Sequence, residues 1–319
     1  MSVVKAKSKL PYEFTEAIYN KFSERNADKI LEGMVEKYTT LRVNTLKGNN
    51  DEVIKVFDEN KIDYDKVDWY ENAFIIKNKT EKDLQKLDIY KDGKIYLQSL
   101  SSMVPPLILD PKEGENVLDL TAAPGSKTTQ MAALMNNKGY IQANEIDKIR
   151  FDRLEYNIKK QGVTIAEVTN EDGRNAVKKK DEYFDKILLD VPCSGEGRFI
   201  IDKPETYSTW SIMLVQGLTM LQKELIDSAF KALKVGGTLV YSTCTLNREE
   251  NEKIVNWALN SYNLELEQIS FKADNMIKGN NKHLREEINK TVKILPSRRT
   301  EGFYIAKFKK VDIQSIYDM

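Results

Sequence analysis

The sequence predicts an α/β protein, a doubly wound and mostly parallel sheet with a smaller N-terminal α+β module. Three observations lead there. The chain has 319 residues, more than one domain usually holds. From about Gln98 onward, apolar strand-like runs alternate strictly with helical stripes, the pattern of a parallel sheet with helices on both faces. Before that point the pattern is different, with short strands around a single amphipathic helix.

Taken in order, residues 12–37 carry Phe14, Ile18 and Phe22 at helical spacing among many charges and read as one or two surface helices. Residues 40–45 (TLRVNT) and 74–77 read as strands, separated by a helix at 52–60 whose apolar face is Val53, Val56 and Phe57. These segments form the expected N-terminal unit, residues 1–97, with the larger unit at 98–319. In the larger unit the predicted strands are 116–120, 140–144, 184–190 and 237–242. One helix presents Phe151, Leu154 and Ile158 and ends at Gly162. A longer one presents Leu218, Leu221, Leu225, Ala229 and Leu233 and is expected to stop at Gly236 and Gly237. A last strand at 303–308 would close the sheet edge. There is no internal repeat and no low-complexity tract.

Lys+Arg and Asp+Glu both number 49, so whole-chain charge does not announce a polyanionic partner, and any RNA contact must be a local patch. One candidate is 272–299, with Lys272, Lys278, Lys282, Arg285, Lys290, Lys293, Arg298 and Arg299 against Asp274, Glu286 and Glu287. Lys5, Lys7 and Lys9 form another. A single run of lysines is more often a solvated surface. Cys193 and Cys244 are the only cysteines, too few for a disulfide framework. With no signal-like apolar stretch and no run near the ~20 residues that span a bilayer, a cytoplasmic protein without a membrane partner is expected. His283 stands alone in a polar segment and receives no role; a metal site would need companions, and none is expected.

The loop Asp119-Leu-Thr-Ala-Ala-Pro-Gly-Ser-Lys-Thr128 follows a strand and opens a helix, where doubly wound folds bind their ligand. It is not a phosphate loop, since Thr121 and Ser126 stand where that motif needs glycine. It is not a dinucleotide fingerprint either, since only Gly125 is available. What remains is a set of small residues that lets a ligand approach the backbone, beside a helix N-terminus that favours an anion. The carboxylate of S-adenosylmethionine is such an anion, which makes Thr121, Ala122, Ala123, Pro124, Gly125, Ser126 and Lys127 candidate cofactor contacts. Glu145 ends the next strand, where an acid accepts ribose hydroxyls, and Asp172 follows the one after, suited to an adenine amino group. Either acid alone is more often an ordinary turn residue; together at successive strand ends they favour adenosine.

Both cysteines fall at strand ends on the same edge of the sheet, in Val191-Pro-Cys-Ser-Gly-Glu-Gly197 and Thr243-Cys-Thr245. A free cysteine is usually a small buried hydrophobe. The only two in the chain, both beside the expected cofactor, point to chemistry instead. Carbon 5 of cytosine is a poor nucleophile until something adds at carbon 6, and a thiolate is the natural adduct former. A base must then remove the carbon 5 proton so that the thiol can leave; Cys193 or a water it orients is the candidate. Asp190, just before Pro192-Cys193, could hydrogen-bond or protonate the ring.

At these motifs the chain resembles the Sun family of RNA cytosine-5 methyltransferases. The matching segments are 121–128 (TAAPGSKT), 143–145 (ANE), 172–174 (DGR), 190–197 (DVPCSGEG), 241–247 (YSTCTLN), 249–252 (EENE) and 301–304 (EGFY), within a resemblance running from about Leu41 to Lys309. Pro-Cys and Thr-Cys in one methyltransferase sheet set the family apart. The resemblance implies a Rossmann-like class I methyltransferase fold, S-adenosylmethionine as cofactor, Cys244 as nucleophile, Cys193 as the residue assisting release, and Asp190 as an acid touching cofactor and base. It also implies that 42–47 (RVNTLK) belongs to an RRM-like RNA-binding module. Within the family, 97–103 and 239–246 are similar to the bacterial F-type small-subunit ribosomal RNA branch. Ser126 departs from the usual second glycine of the loop. The chain also stops soon after its final strand, without the C-terminal RNA-binding extension expected of the longer bacterial enzymes. The expected partner is therefore RNA, ribosomal or transfer, bound by a monomer. Two competing readings remain: a DNA cytosine-5 methyltransferase, whose nucleophile would be Cys193, and a non-catalytic ribosome-assembly factor.

Overall fold

A computed structural model describes residues 3–312. It opens with three helices, α1 (Val3–Lys9), α2 (Tyr12–Lys21) and α3 (Glu24–Glu32), the last capped by the Ser23 hydroxyl accepting from the Asn26 N–H. Their apolar faces are not turned to the small sheet that follows. Phe14, Ile18, Ile30 and Leu31 pack with Phe199, Tyr207 and Leu246 from the second half of the chain.

The next segment is β1 (Thr39–Val43), α4 (Asn50–Glu59), β2 (Tyr64–Lys66), β3 (Ala73–Ile76), α5 (Glu81–Leu84), α6 (Asp88–Lys91) and β4 (Ile95–Leu97). Its four strands form an antiparallel sheet in the order β2-β3-β1-β4. Alternation along β1 and β3 sends Leu41, Val43, Phe74 and Ile76 against Val53 and Phe57 of α4. On the opposite side Arg42 is fully buried. It donates from Nε to Gln98 and from Nη2 to the Ser126 carbonyl and the Thr129 hydroxyl. Asn44 reaches the carbonyls of Gly93 and Gln161 in the same way. The start of segment 42–47, expected to belong to an RNA-binding module, is thus turned inward and ties the small sheet to the second half of the chain.

The second half contains α7 (Leu100–Leu109), β5 (Asn116–Asp119), α8 (Ser126–Leu134), β6 (Tyr140–Asn144), α9 (Lys148–Lys160), β7 (Ala166–Thr169), β8 (Phe184–Asp190), α10 (Ile212–Ala232), β9 (Leu233–Thr243), α11 (Glu252–Ser261), β10 (Leu264–Leu266), β11 (Met276–Lys278), β12 (Val292–Ile294) and β13 (Phe303–Lys310). The sheet order is β11-β12-β13-β9-β8-β5-β6-β7, with β10 also on β13. The five strands from β9 to β7 are parallel, and the others add antiparallel. The parallel strands are apolar on both faces because both are covered. Leu118, Ile187, Leu189 and Leu239 meet α10 and α11, while Val117, Leu188 and Val240 meet α7, α8 and α9.

Two expectations change. The strand at 303–308 is interior rather than at the edge, because β12 pairs with its first half and β10 with its last. Both are three-residue strands, too short to show a period. The long helix ends at Ala232, before the glycines: Leu233 pairs with Phe184 and is fully buried, so the ladder captures it first. Gly236 and Gly237 lie inside β9, where the register against β8 slips, and Gly236 has φ 78°.

Candidate active site

The chain moves outward from β5 through β6 to β7, then returns to place β8 on the other side of β5. That reversal opens a crevice at the carboxyl ends of the strands, where open α/β sheets bind ligands. A cavity of about 1180 Å³ lies there. Thr121, Ala123, Pro124, Ser126 and Lys127 of the loop after β5 line it, with Glu145 after β6, Asp172 after β7, Asp190 and Cys193 after β8 and Cys244 after β9. Ala122 instead packs in the core beside Val117. Gly125 sits at φ 100° at the head of α8, a conformation that favours glycine.

No side chain caps α8, which leaves its first-turn N–H groups for a ligand. Glu145 is almost fully buried; it accepts from the Asp147 N–H and lies 3.5 Å from Arg150. Asp172 is held by the backbone and guanidinium of Arg174, which keep its carboxyl below the usual carboxylate range. Leu221 and Leu225 of α10 supply apolar wall. A free helix N-terminus, a buried acid at the second strand end and an apolar wall thus meet in one crevice.

The polar centre is the pair formed by Lys127 Nζ and Asp190 Oδ2, 2.6 Å apart. Asp190 Oδ1 accepts from the Ser242 hydroxyl at 2.7 Å, and its carbonyl accepts from the Thr121 hydroxyl. Burial works against the Lys127 charge, but Asp190 outweighs it and raises the ammonium's pKa. Behind the loop, burial raises the Asp119 carboxyl to about 7 despite the bond it accepts from Thr128.

The two sulfurs lie 3.3 Å apart. Their shared hydrogen bond divides them: it lowers the Cys244 thiol, against burial and with help from Arg198, and raises Cys193, which burial and the Glu250 charge push further up. Gly197 holds the loop in register. Its N–H donates to the Cys244 carbonyl, its carbonyl accepts from Gly302, and a Cβ there would sit 2.0 Å from the Gly302 oxygen.

Arg198 and Glu250 had no role in the sequence reading. Arg198 had one signal, a cation directly after the Pro-Cys loop; Glu250 lay in a matched motif with nothing to say what it touches. The patch at 272–299 is not a continuous basic surface. Lys293 is buried against Glu252 at 2.8 Å, Arg285 pairs with Glu287, and Arg298 stacks on Tyr38. Only Arg299 of that segment lines the cleft, which gathers Lys37, Arg150, Arg153, Lys160 and Arg174 from elsewhere. Lys5 and Lys9 both pair with Asp202. His283 is exposed in a turn at φ 59°.

Sheet topology and crevice define a class of protein, the class I methyltransferases that use S-adenosylmethionine as methyl donor. Residues 106–309 match the family model described as 16S rRNA methyltransferase RsmB/F, and the chain belongs to that family, whose enzyme class is S-adenosylmethionine-dependent RNA (cytosine-5) methyltransferase. It is 42% identical over 277 residues to a tRNA (cytosine(49)-C(5))-methyltransferase of Pyrococcus abyssi, covering 85% of this chain and 88% of that one. It is 40% identical over 278 residues to ribosomal RNA small subunit methyltransferase F of Shewanella piezotolerans, covering 85% of this chain but only 57% of that one. A crystal structure of a methyltransferase homologue from Pyrococcus horikoshii superposes with TM-score 0.83 at 31% identity, covering 98% of this chain and 100% of that one. No helix among the described residues is long and apolar enough to cross a membrane.

Proposed function

We propose that the chain methylates carbon 5 of a cytosine in a structured RNA through a covalent bond to Cys244. One observation carries the reading: two sulfurs 3.3 Å apart at the mouth of the cofactor crevice, with the more acidic one under the charge of Arg198. The Cys244 thiolate adds to carbon 6, forming the S–C6 bond and moving ring electrons toward carbon 5. Asp190, paired with the Lys127 ammonium, acts as an acceptor for the cytosine amino group; a proton donated to the ring would have to come from Lys127 or water. S-adenosylmethionine supplies the methyl group to carbon 5. A water oriented by Cys193 then removes the carbon 5 proton, since the raised Cys193 thiol keeps its own proton and acts as base itself only after giving that proton up, and the S–C6 bond breaks by elimination to return the Cys244 thiolate. The candidate cofactor contacts are Thr121, Ala123, Pro124, Ser126, Lys127, Glu145 and Asp172, with Ala122 and Gly125 shaping the loop from behind.

The test is to incubate Cys193→Ala and Cys244→Ala separately with S-adenosylmethionine and labelled cytosine RNA. Cys193→Ala should accumulate a denaturation-resistant protein–RNA adduct and Cys244→Ala none; the opposite pattern would make Cys193 the nucleophile. Failure of calorimetric titration to detect S-adenosylmethionine binding would favour a non-catalytic assembly factor.

For the substrate, the family description favours ribosomal RNA. The length match to the tRNA enzyme, 88% against 57%, favours transfer RNA as a second reading. Bisulfite sequencing of both RNA classes from cells lacking the protein, in whose cytoplasm we place it, decides between them.

A further inference from the structure

Behind the two sulfurs lies a buried carboxylate that the chemistry above does not use. Glu250 is fully buried, yet among the described residues no cation pairs with it. Its Oε1 accepts from the Ser194 backbone N–H at 2.9 Å and from Gln222 Nε2 at 3.0 Å, and its Oε2 accepts from the Ser194 hydroxyl. Ser194 directly follows Cys193, and its hydroxyl also lies 2.8 Å from the hydroxyl of Thr245, which directly follows Cys244. Gln222 donates a second bond to the Pro192 carbonyl, one residue before Cys193. The Tyr241 hydroxyl holds the Glu250 carbonyl at 2.6 Å, and Tyr241 lies three residues before Cys244 on β9. One side chain is therefore tied to both cysteine loops, on both sides of Cys193.

The two loops leave different strands and have no covalent connection, so their separation depends on what joins them across the gap. A buried carboxylate with every oxygen bonded is rigid and costly to displace. We propose that Glu250 is a positioning residue: through Ser194 and Thr245 it holds the Pro-Cys and Thr-Cys loops at the distance where the sulfurs share one hydrogen bond. The inference rests on the two-cysteine chemistry proposed above.

Glu250→Gln separates geometry from charge. With its oxygen in the Oε1 position it still accepts from Ser194 and Gln222, and its amide donates to the Ser194 hydroxyl, which then donates to Thr245. Glu250→Ala removes the bonds to Ser194 and Gln222 and leaves the Ser194–Thr245 hydroxyl contact without its anchor, while Ser194→Ala removes that contact and the hydroxyl bond to Glu250 but keeps the backbone bond. Three readouts are used on the full chain: thermal midpoint, steady-state methylation of RNA, and the rate at which a diazene oxidant joins Cys193 to Cys244, followed by mass. The last reports sulfur proximity without any turnover. Displacing reacting groups by about 1 Å costs on the order of 100-fold. Glu250→Ala should therefore lower kcat about 100-fold with KM for RNA within about twofold, and slow cross-linking at least tenfold. Ser194→Ala should fall between it and wild type, and it keeps the test open if Glu250→Ala does not fold. Glu250→Gln should stay within about threefold of wild type in both rates. Cross-linking at the wild-type rate in folded Glu250→Ala or Ser194→Ala overturns the proposal. So does Glu250→Gln as impaired as Glu250→Ala, since charge and not geometry would then be the cause. Full methylation by Cys244→Ala would refute the underlying chemistry while leaving the cross-linking result to be read by itself.

Discussion

Replacing Lys127 by Met removes the cation from the centre of the crevice while keeping most of the side-chain volume. The Lys127 and Asp190 side chains are 11% and 24% exposed, so the pair is screened less than a surface pair. At 2.6 Å and an effective dielectric of about 20, the attraction is about 6 kcal/mol, offset by the cost of desolvating both charges. Breaking a fully buried pair by deleting one partner costs ~3–5 kcal/mol. The partial exposure of Asp190 and the hydroxyl it retains from Ser242 reduce that to about 2–3 kcal/mol here. For a chain of 319 residues the unfolding entropy is ~0.7 kcal/mol per kelvin, so the thermal midpoint should fall by about 3–5 °C. Scanning calorimetry or circular dichroism of Lys127→Met, Asp190→Asn and the double variant measures this. The double variant should recover much of the loss, because it leaves no uncompensated charge. A midpoint within 1 °C of wild type for Lys127→Met, or a double variant as unstable as the sum of the singles, would refute the coupling.

Two further outcomes are expected. Arg198→Met should move the acid limb of the pH–rate profile, and of iodoacetamide alkylation of Cys244, to higher pH, while Arg198→Lys should restore most of it; an unmoved limb would exclude Arg198 from stabilising the thiolate. Burial also raises the Glu196 carboxyl to about 7, against the bonds it accepts from Asn247 and Trp210. An acid with a raised folded-state pKa holds a proton that the unfolded chain releases. Its contribution to stability is complete below the ordinary carboxylate range and lost as pH rises through about 7. Unfolding free energy should therefore decline from pH 5 to 7, with Asp119 acting in the same direction, and then level off. Glu196→Gln, which keeps both acceptor contacts, should flatten that slope by up to ~3 kcal/mol across the window; an unchanged slope would show that Glu196 titrates normally.

Four of the five parallel strands were legible because burial on both faces writes them as apolar runs, and the strands 140–144 and 184–190 have the bounds expected; β7, only partly buried, shows no such run. The crevice was legible for a related reason. Small residues after β5, acids after β6 and β7 and thiols after β8 and β9 all stand at strand ends, and in a parallel sheet those ends share one edge. The antiparallel additions were not legible, since β10, β11 and β12 are three residues each. Nor was the fate of the cations at 272–299. Whether a lysine faces solvent or, like Lys293, a buried glutamate is decided by what folds against it.

Local residue pattern by itself determined the fold class and the sheet edge on which Cys193, Cys244 and Asp190 stand, because these follow from hydrophobic period and strand order; the roles proposed for those residues rest on the family resemblance. Tertiary structure alone decided that the sulfurs lie within one hydrogen bond of each other, that Lys127 answers Asp190, that Arg42 ties the small sheet to α8 and that Glu250 reaches both cysteine loops. Each of those is a contact between residues about 30 to 90 positions apart or set by such a contact. No pattern along the chain encodes which distant partner closes the distance; packing of the elements does.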